Sequence, residues 1–321
     1  MEEEIVPPSE ETPEREKKQN KLVEFLANVL RGVAIGVAFI IPGFSGGSVA
    51  AILGIYEKLV GAIADIFKSF KKSFLFLLPI LIGMLLGIAA LILPIQWGLK
   101  HFPIPTVTLF VGLAIGGLPS VTEKCKGGKV TWKHALAGLI PLAAASLCFL
   151  PHGNPVDLFH LNFGGYLLLV VIGIVGSCAL VVPGISGSML LLIFGYYNPI
   201  VELVTKNLLA GDRVGICILV LFCLVIGIVV GFFGISVLMK FLLKKFPRGT
   251  YFAILGFIVG SVPAVFVSTA GEAGLTLATL PTNPWYWIVS VLLLAFGIAI
   301  SYCLVRFARE AEKKKRESEQ K

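Results

Sequence analysis

Apolar stretches recur along the chain at residues 25–41, 48–64, 74–97, 104–121, 133–150, 163–182, 188–204, 214–242, 250–268 and 284–305. They are nearly uninterrupted and apolar all round, which predicts membrane helices rather than one-sided soluble ones. Two pairs differ from the rest. The first and second stretches are divided by PGFSGGS, Pro42 to Ser48, and the sixth and seventh by PGISGS, Pro183 to Ser188. Proline and glycine stop a helix at such points. Each arm is then about 17 residues, the lower limit for crossing a bilayer. Irregular backbone at membrane depth survives only where protein buries it or it lines a cavity.

The two breaks are copies of one unit. At an offset of 141, Gly32, Ala38, Pro42, Gly43, Ser45, Gly46, Gly54 and Tyr56 match Gly173, Ala179, Pro183, Gly184, Ser186, Gly187, Gly195 and Tyr197. At an offset of 144, Gly83, Gly87, Phe102, Pro103, Thr106, Gly112, Gly116 and Pro119 match Gly227, Gly231, Phe246, Pro247, Thr250, Gly256, Gly260 and Pro263. The chain is read as an internal duplication. The paired glycines have the spacing of helix-packing faces.

Composition narrows the class. Of 321 residues, 56% are hydrophobic and 14% charged. Mean hydropathy is +0.90. A soluble domain has about 45–50% apolar and about 25% charged residues. A soluble enzyme, a disordered chain and a disulfide scaffold are therefore poor fits. The six cysteines show no metal-ligand spacing and read as buried free thiols.

Charge sets the orientation. Between residues 21 and 305 there are 17 basic residues. One scheme puts Lys21, Arg31, Lys58, Lys68, Lys71, Lys72, Lys124, Lys126, Lys129, Lys133, Lys240, Lys244, Lys245 and Arg248 on one side. It leaves Lys100, Lys206 and Arg213 on the other. Basic loops face the cytoplasm. The scheme requires residues 25–64 to dip in from the cytoplasm as a hairpin and 163–205 to dip in from outside, each followed by three spans.

The expected fold is thus an all-α polytopic membrane protein of two inverted-topology repeats, each a re-entrant helical hairpin plus three transmembrane helices. Residues 1–20 are expected to be a disordered acidic tail, 21–150 the first repeat, 151–308 the second and 309–321 a charged tail. Both termini are expected in the cytoplasm.

Two hairpins from opposite faces would meet near the midplane. Ser45, Gly46, Gly47 and Ser48, with Ser186, Gly187 and Ser188, would offer N–H groups and hydroxyls to an anion, a phosphate above all. Pro42, Gly43, Pro183 and Gly184 would make the breaks. The plainer reading is that the serines only cap helix arms. Arg31 is a candidate for the phosphate charge. Glu57, with Tyr56, Tyr197 and Glu202, is a candidate for coupling or gating. The alternative is that the charged groups lie at the interface and snorkel. No paired carboxylates, Ser/His/Asp set, metal cluster or phosphate-binding loop with GK[ST] emerges, so no cofactor is expected. Trp97, Trp132, Trp285 and Trp287 fall at span ends, as an aromatic belt would.

The run RGVAIGVAFIIPGFSGGSVAAILGIYEKLV and its second copy VVPGISGSMLLLIFGYYNPIVELV resemble the PopT-type polyprenyl-phosphate transporter family, over nearly the whole chain between the tails. The resemblance implies translocation of undecaprenyl phosphate between leaflets of the cytoplasmic membrane, returning the carrier lipid used in cell-wall synthesis. It implies no nucleic-acid partner and no enzymatic step. Family members often carry an acidic residue after the tyrosine in both copies. Here the first has Glu57 but the second has Asn198 and Pro199, so a carboxylate pair does not carry over. A transporter of another small anion or anionic lipid shares the same architecture.

Overall fold

The computed structural model describes residues 11–40, 45–146, 154–185, 187–272 and 281–319, and these are helical with short connections. The helices are α1 (Glu11–Ile40), α2 (Gly46–Ile52), α3 (Tyr56–Ala64), α4 (Phe70–His101), α5 (Pro103–Cys125), α6 (Trp132–Ser146), α7 (Phe163–Val181), α8 (Gly187–Ile193), α9 (Tyr197–Glu202), α10 (Val214–Lys245), α11 (Pro247–Glu272) and α12 (Pro284–Glu319). A π-helical turn, Leu203–Leu208, continues α9. The chain is a multi-pass membrane protein.

Among the described residues, six helices are long and apolar enough to cross a membrane: α1, α4, α5, α7, α10 and α12. Four of them were expected as full spans. The other two, α1 and α7, were expected as hairpin arms. Their apolar stretches of 18 and 19 residues correspond to about 27–29 Å, so helix length alone does not separate arms from spans. The return arms differ from expectation too. Neither 48–64 nor 188–204 is one helix; each is interrupted after two turns. Gly54 (φ 71°) and Gly195 (φ 75°) adopt the left-handed conformation there. Ile55 N–H donates to the Ala50 carbonyl at 3.0 Å and Tyr196 N–H to Leu191 at 2.8 Å, a Schellman-type stop in both copies. At the amino end, α1 begins at Glu11, inside the segment expected to be disordered. Glu, Arg, Lys and Gln in that run are good helix formers.

The two halves pack by the same rule. α1 lies on α4, and α7 on α10. A Cβ on Gly83 would overlap the Val29 carbonyl, and one on Gly87 would come within 2.6 Å of the Val33 carbonyl. In the other half, Gly227 and Gly231 meet Val170 and Ile174. Contacts advance in step along both chains, so each pair runs parallel. The third long helices are exchanged between the halves: α5 packs on α12 and α11 on α6. Gly112 and Gly116 meet Leu294 and Ile298, while Gly256 and Gly260 meet Gly138 and Leu142. These pairs are parallel as well, and the predicted glycine faces are helix contacts in all four cases.

The long helices have two distinct ends. At one end Arg248 donates to the Cys125 and Gly128 carbonyls, both at 3.1 Å, and Lys240 pairs with Asp65. At the other, the Ile104 N–H donates to the Tyr286 hydroxyl at 3.3 Å, and the Arg213 guanidinium covers the Phe159 ring at 5.2 Å. The first end therefore gathers α3, the ends of α5 and α10 and the start of α11. The second gathers residues 154–162 and the starts of α10 and α12. A central core joins Ile35, Ala50, Tyr56 and Val60 from the first half to Val181, Met239, Tyr251 and Ile254 from the second. Cys125 and Cys217 are buried as expected, Cys178 and Cys223 only partly, and Cys303 is exposed.

Candidate functional site

Helix α7 ends because Pro183 has no N–H to donate to the Ala179 carbonyl. The chain then leaves the helix before Ile185 can reach the Val181 carbonyl. Gly184 takes φ 84° and passes so close to Phe257 that a Cβ would lie 2.6 Å from its carbonyl carbon. Two backbone acceptors are thereby left open at the second break.

Residues within and just after the first break fill them. The Ser45 hydroxyl reaches the Ala179 carbonyl at 3.4 Å and that of Val182 at 3.5 Å, both long contacts. The Tyr56 hydroxyl donates to the Val181 carbonyl at 2.9 Å. Both residues are only 2% exposed. Ser45 occupies the N-cap position of α2 but makes no side-chain cap bond. The capping reading of this serine is therefore replaced by a contact between the two breaks. Gly47 permits the approach: a Cβ there would sit 3.2 Å from the Val181 carbonyl oxygen and 3.3 Å from Pro183. Gly46 similarly lies under the Phe39 ring.

Ser48 stands one turn into this contact. It is 1% exposed, and its hydroxyl has no hydrogen-bond partner among the described residues. An unsatisfied buried hydroxyl costs about 1–3 kcal/mol, and such groups usually mark a missing water, ion or ligand.

The second copy is less fully described. Gly187 opens α8 in ordinary contact with Ala179, a Cβ there lying 3.4 Å away. Pro42, Gly43 and Ser186 lie outside the described residues, as does the side chain of Ser188. Tyr197 is half-buried and makes no bond like that of Tyr56 among the described residues.

The charged candidates separate from the tips. Arg31 donates to Asn28 Oδ1 at 2.8 Å. It lies nine residues before the end of α1, about 14 Å along the axis, and no contact joins it to Ser45 among the described residues. Glu57 Oε1 accepts from the Tyr251 hydroxyl at 2.6 Å and from Lys124 Nζ at 3.5 Å. It thus ties α3 to the end of α5 and the start of α11. Glu202 pairs with Lys206 at 2.8 Å on an exposed face.

Sequence reasoning passed over Tyr251, Lys124 and Asp65. A signal for Asp65 was present: only eight acidic residues occur between residues 21 and 305, and each invited a search for its partner. Nothing in the linear sequence pointed to Tyr251.

The comparisons with known proteins agree in direction. The profile of the undecaprenyl phosphate translocase-like family matches residues 35–276. A polyprenyl-phosphate transporter of Staphylococcus aureus is 33% identical over 291 residues, covering 89% of this chain and 98% of that protein. A polyprenyl-phosphate transporter of Vibrio cholerae is 27% identical, covering 90% of this chain and 99% of its own length. No solved structure matches. With three-quarters of its length inside the profile and the paired breaks within the matched span, the chain belongs to the undecaprenyl phosphate translocase-like family.

Proposed function

We propose that this protein carries undecaprenyl phosphate, or a closely related polyprenyl phosphate, between the leaflets of the cytoplasmic membrane, returning the carrier lipid for cell-wall synthesis. The names of the relatives support the substrate. The packing supports the architecture. Helix α1 runs parallel to α4, yet α3 returns to the end where α4 starts, so residues 22–64 enter and leave on one side. The same holds for α7 with α10 at the opposite end. This is the pattern of two re-entrant hairpins in inverted repeats. The basic end faces the cytoplasm, and both α1 and α12 place their chain termini there.

Gly36 packs beside Met84, close to the middle of α4, so the breaks meet near the midplane. A phosphate there cannot enter hydrocarbon with its charge unmet. Ser45, Ser48, Ser186 and Ser188, with the N–H groups around Gly46, Gly47 and Gly187, replace its water, while the polyprenyl tail stays in lipid. Arg31 meets the headgroup on its way along α1. Helices α2 and α8 have seven residues each, so local donors matter more here than a long-helix dipole. Movement of the two halves about this contact gives access to each leaflet in turn. An ion gradient drives the cycle. Glu57 with Tyr251 and Lys124 forms the latch at the basic end, and Tyr56 and Tyr197 hold alternate states.

The observation that carries this reading is the orphan Ser48 hydroxyl inside the contact between the breaks. In proteoliposomes containing undecaprenyl phosphate, the wild-type protein accelerates headgroup exchange between leaflets, with dependence on an imposed pH gradient. Ser48→Ala removes a group that contributes no internal hydrogen bond, so thermal stability stays level or rises. Transport by this variant falls about tenfold, the equivalent of about 1.4 kcal/mol. Wild-type-like transport by Ser48→Ala and by Ser45→Ala/Ser186→Ala together overturns the tip site.

A further inference from the structure

A cavity of about 740 Å3 opens at the basic end between α6, α7, α10 and α11. Its size lies within the range of about 300–1,000 Å3 typical of small-molecule sites. Lys133, His134 and Arg248 stand at the mouth with Thr131. The walls are apolar and include Met239, Ile254 and Phe257. Cys178, Val182 and Ile185, which flank the second break, line it as well. The cavity therefore runs from a cationic rim to the backbone that Ser45 and Tyr56 hold.

We infer that this cavity is the docking site for a lipid phosphate monoester in the leaflet of the basic end, with the phosphate at Lys133, His134 and Arg248 and the first part of the isoprenoid chain against Cys178, Ile254 and Phe257. The inference rests on the transport reading above and adds to it a second station, away from the tips.

The rim is built for an anion. The Thr131 N–H donates to His134 Nδ1 at 3.2 Å, so in the neutral ring the proton is on Nε2, which is then a donor. Arg248 uses Nε and one Nη on the Cys125 and Gly128 carbonyls, which fixes its guanidinium at the rim. Lys133 Nζ rests 6.0 Å from the Trp132 ring centre, a point charge on an exposed stem. Charge-assisted bonds to a phosphate monoester are stronger than those to a neutral headgroup. The apolar wall then excludes a free anion from most of the volume.

The other half supplies a built-in control. Offsets of 141 and 144 carry Cys178, Ile254 and Phe257 back to Val37, Phe110 and Leu113. These three line a cavity of about 230 Å3 whose lining has no charged residue. Related positions thus make an open, cation-rimmed cavity in one half and a small apolar one in the other. The ligand is assigned to the first alone.

Cys178 reports occupancy directly. Purified full-length protein in lipid nanodiscs is treated with N-ethylmaleimide, and adducts at Cys178 and at exposed Cys303 are followed by peptide mass spectrometry. Farnesyl phosphate slows modification of Cys178 about tenfold and leaves Cys303 unchanged. Farnesol protects far less, and inorganic phosphate does not protect. Lys133→Glu raises the farnesyl phosphate needed by about tenfold or more, as expected for loss of a charge-assisted contact. Equal protection by farnesol, or protection by inorganic phosphate alone, overturns the assignment. So does unprotected Cys178 in protein that transports undecaprenyl phosphate, a result that leaves the transport reading standing. Protection with the stated preference in protein that moves no lipid supports the dock and defeats the transport reading instead.

Discussion

The arms that follow the two breaks match in sequence at Gly54/Gly195 and Tyr56/Tyr197 and pack differently. In the first half, the arm after the break buries Tyr56, Val60 and Ile63 and packs along α10. In the second, α9 buries none of its residues and runs on into a π-helical turn. Tyr56 closes an open carbonyl of the opposite break, while Tyr197 stays half-buried. The cause lies where the copies diverge. The first has Glu57 after its tyrosine, and the carboxylate binds Tyr251 and Lys124. The second has Asn198 and Pro199, with no charge to anchor the arm. The matching residues thus give the two halves the same frame, and a few unshared residues decide how each arm packs.

The largest expected effect is at the second break. Gly184→Ala forces an L-residue to φ 84° and brings a Cβ to 2.6 Å from the Phe257 carbonyl carbon. Left-handed strain and overpacking together cost about 2–5 kcal/mol. We expect a large drop in thermal midpoint in detergent, read by loss of the monodisperse chromatographic peak on heating. Gly61→Ala in α3, where a Cβ meets nothing within 4 Å, leaves the midpoint level or raises it slightly. Equal tolerance of both changes would break the picture of a strained second break.

Next comes the tyrosine pair. Tyr56→Phe strands the Val181 carbonyl, a cost of about 1–3 kcal/mol. Tyr197→Phe changes stability by no more than about 0.5 kcal/mol. Both are read from the same melts. A matching loss for Tyr197 would show that the two arms are equivalent after all.

Much of this frame was legible before any coordinates. The glycine and proline matches located both breaks, because a helix stop and a close helix contact each demand particular residues. Basic-residue bias grouped Lys124, Lys240 and Arg248, and their contacts with Glu57, Asp65 and the Cys125 carbonyl fall at one end of the long helices. The exchange of third helices was not legible. Gly138 and Gly297 play equivalent parts against α11 and α5, but their offset is 159, outside the two registers that matched, because the stretch from Gly256 to Gly297 is 15 residues longer than that from Gly112 to Gly138. The interrupted return arms were missed because Gly54 and Gly195 were read as repeat markers rather than as left-handed stops. The Ser45 contact was missed for a physical reason: a hydroxyl beside a helix start can satisfy its own helix or a neighbour, and only packing decides. The cationic rim combines residues from the start of α6 and the start of α11, so no local pattern announces it.

The smallest stability effect falls on the acidic residues that follow the two tyrosines, and it is the most informative about mechanism. Glu57 and Lys124 are each about half exposed, with side-chain exposures of 49% and 52%. Such ion pairs contribute about 0–1 kcal/mol. Glu57→Gln keeps an acceptor for the Tyr251 hydroxyl and loses the charge that attracts Lys124, so the melt moves little. Glu202→Gln loses an exposed pair one helical turn apart, worth about 0.3–0.5 kcal/mol. Stability therefore hardly distinguishes the two variants; transport does. If the Glu57 contact latches the first arm at the basic end, Glu57→Gln changes the exchange rate in proteoliposomes severalfold at nearly unchanged stability, and Glu202→Gln leaves it alone. A silent Glu57→Gln would reduce that contact to an ordinary surface pair. The packing of the first arm would then rest on the Tyr56 hydroxyl and the buried face of α3.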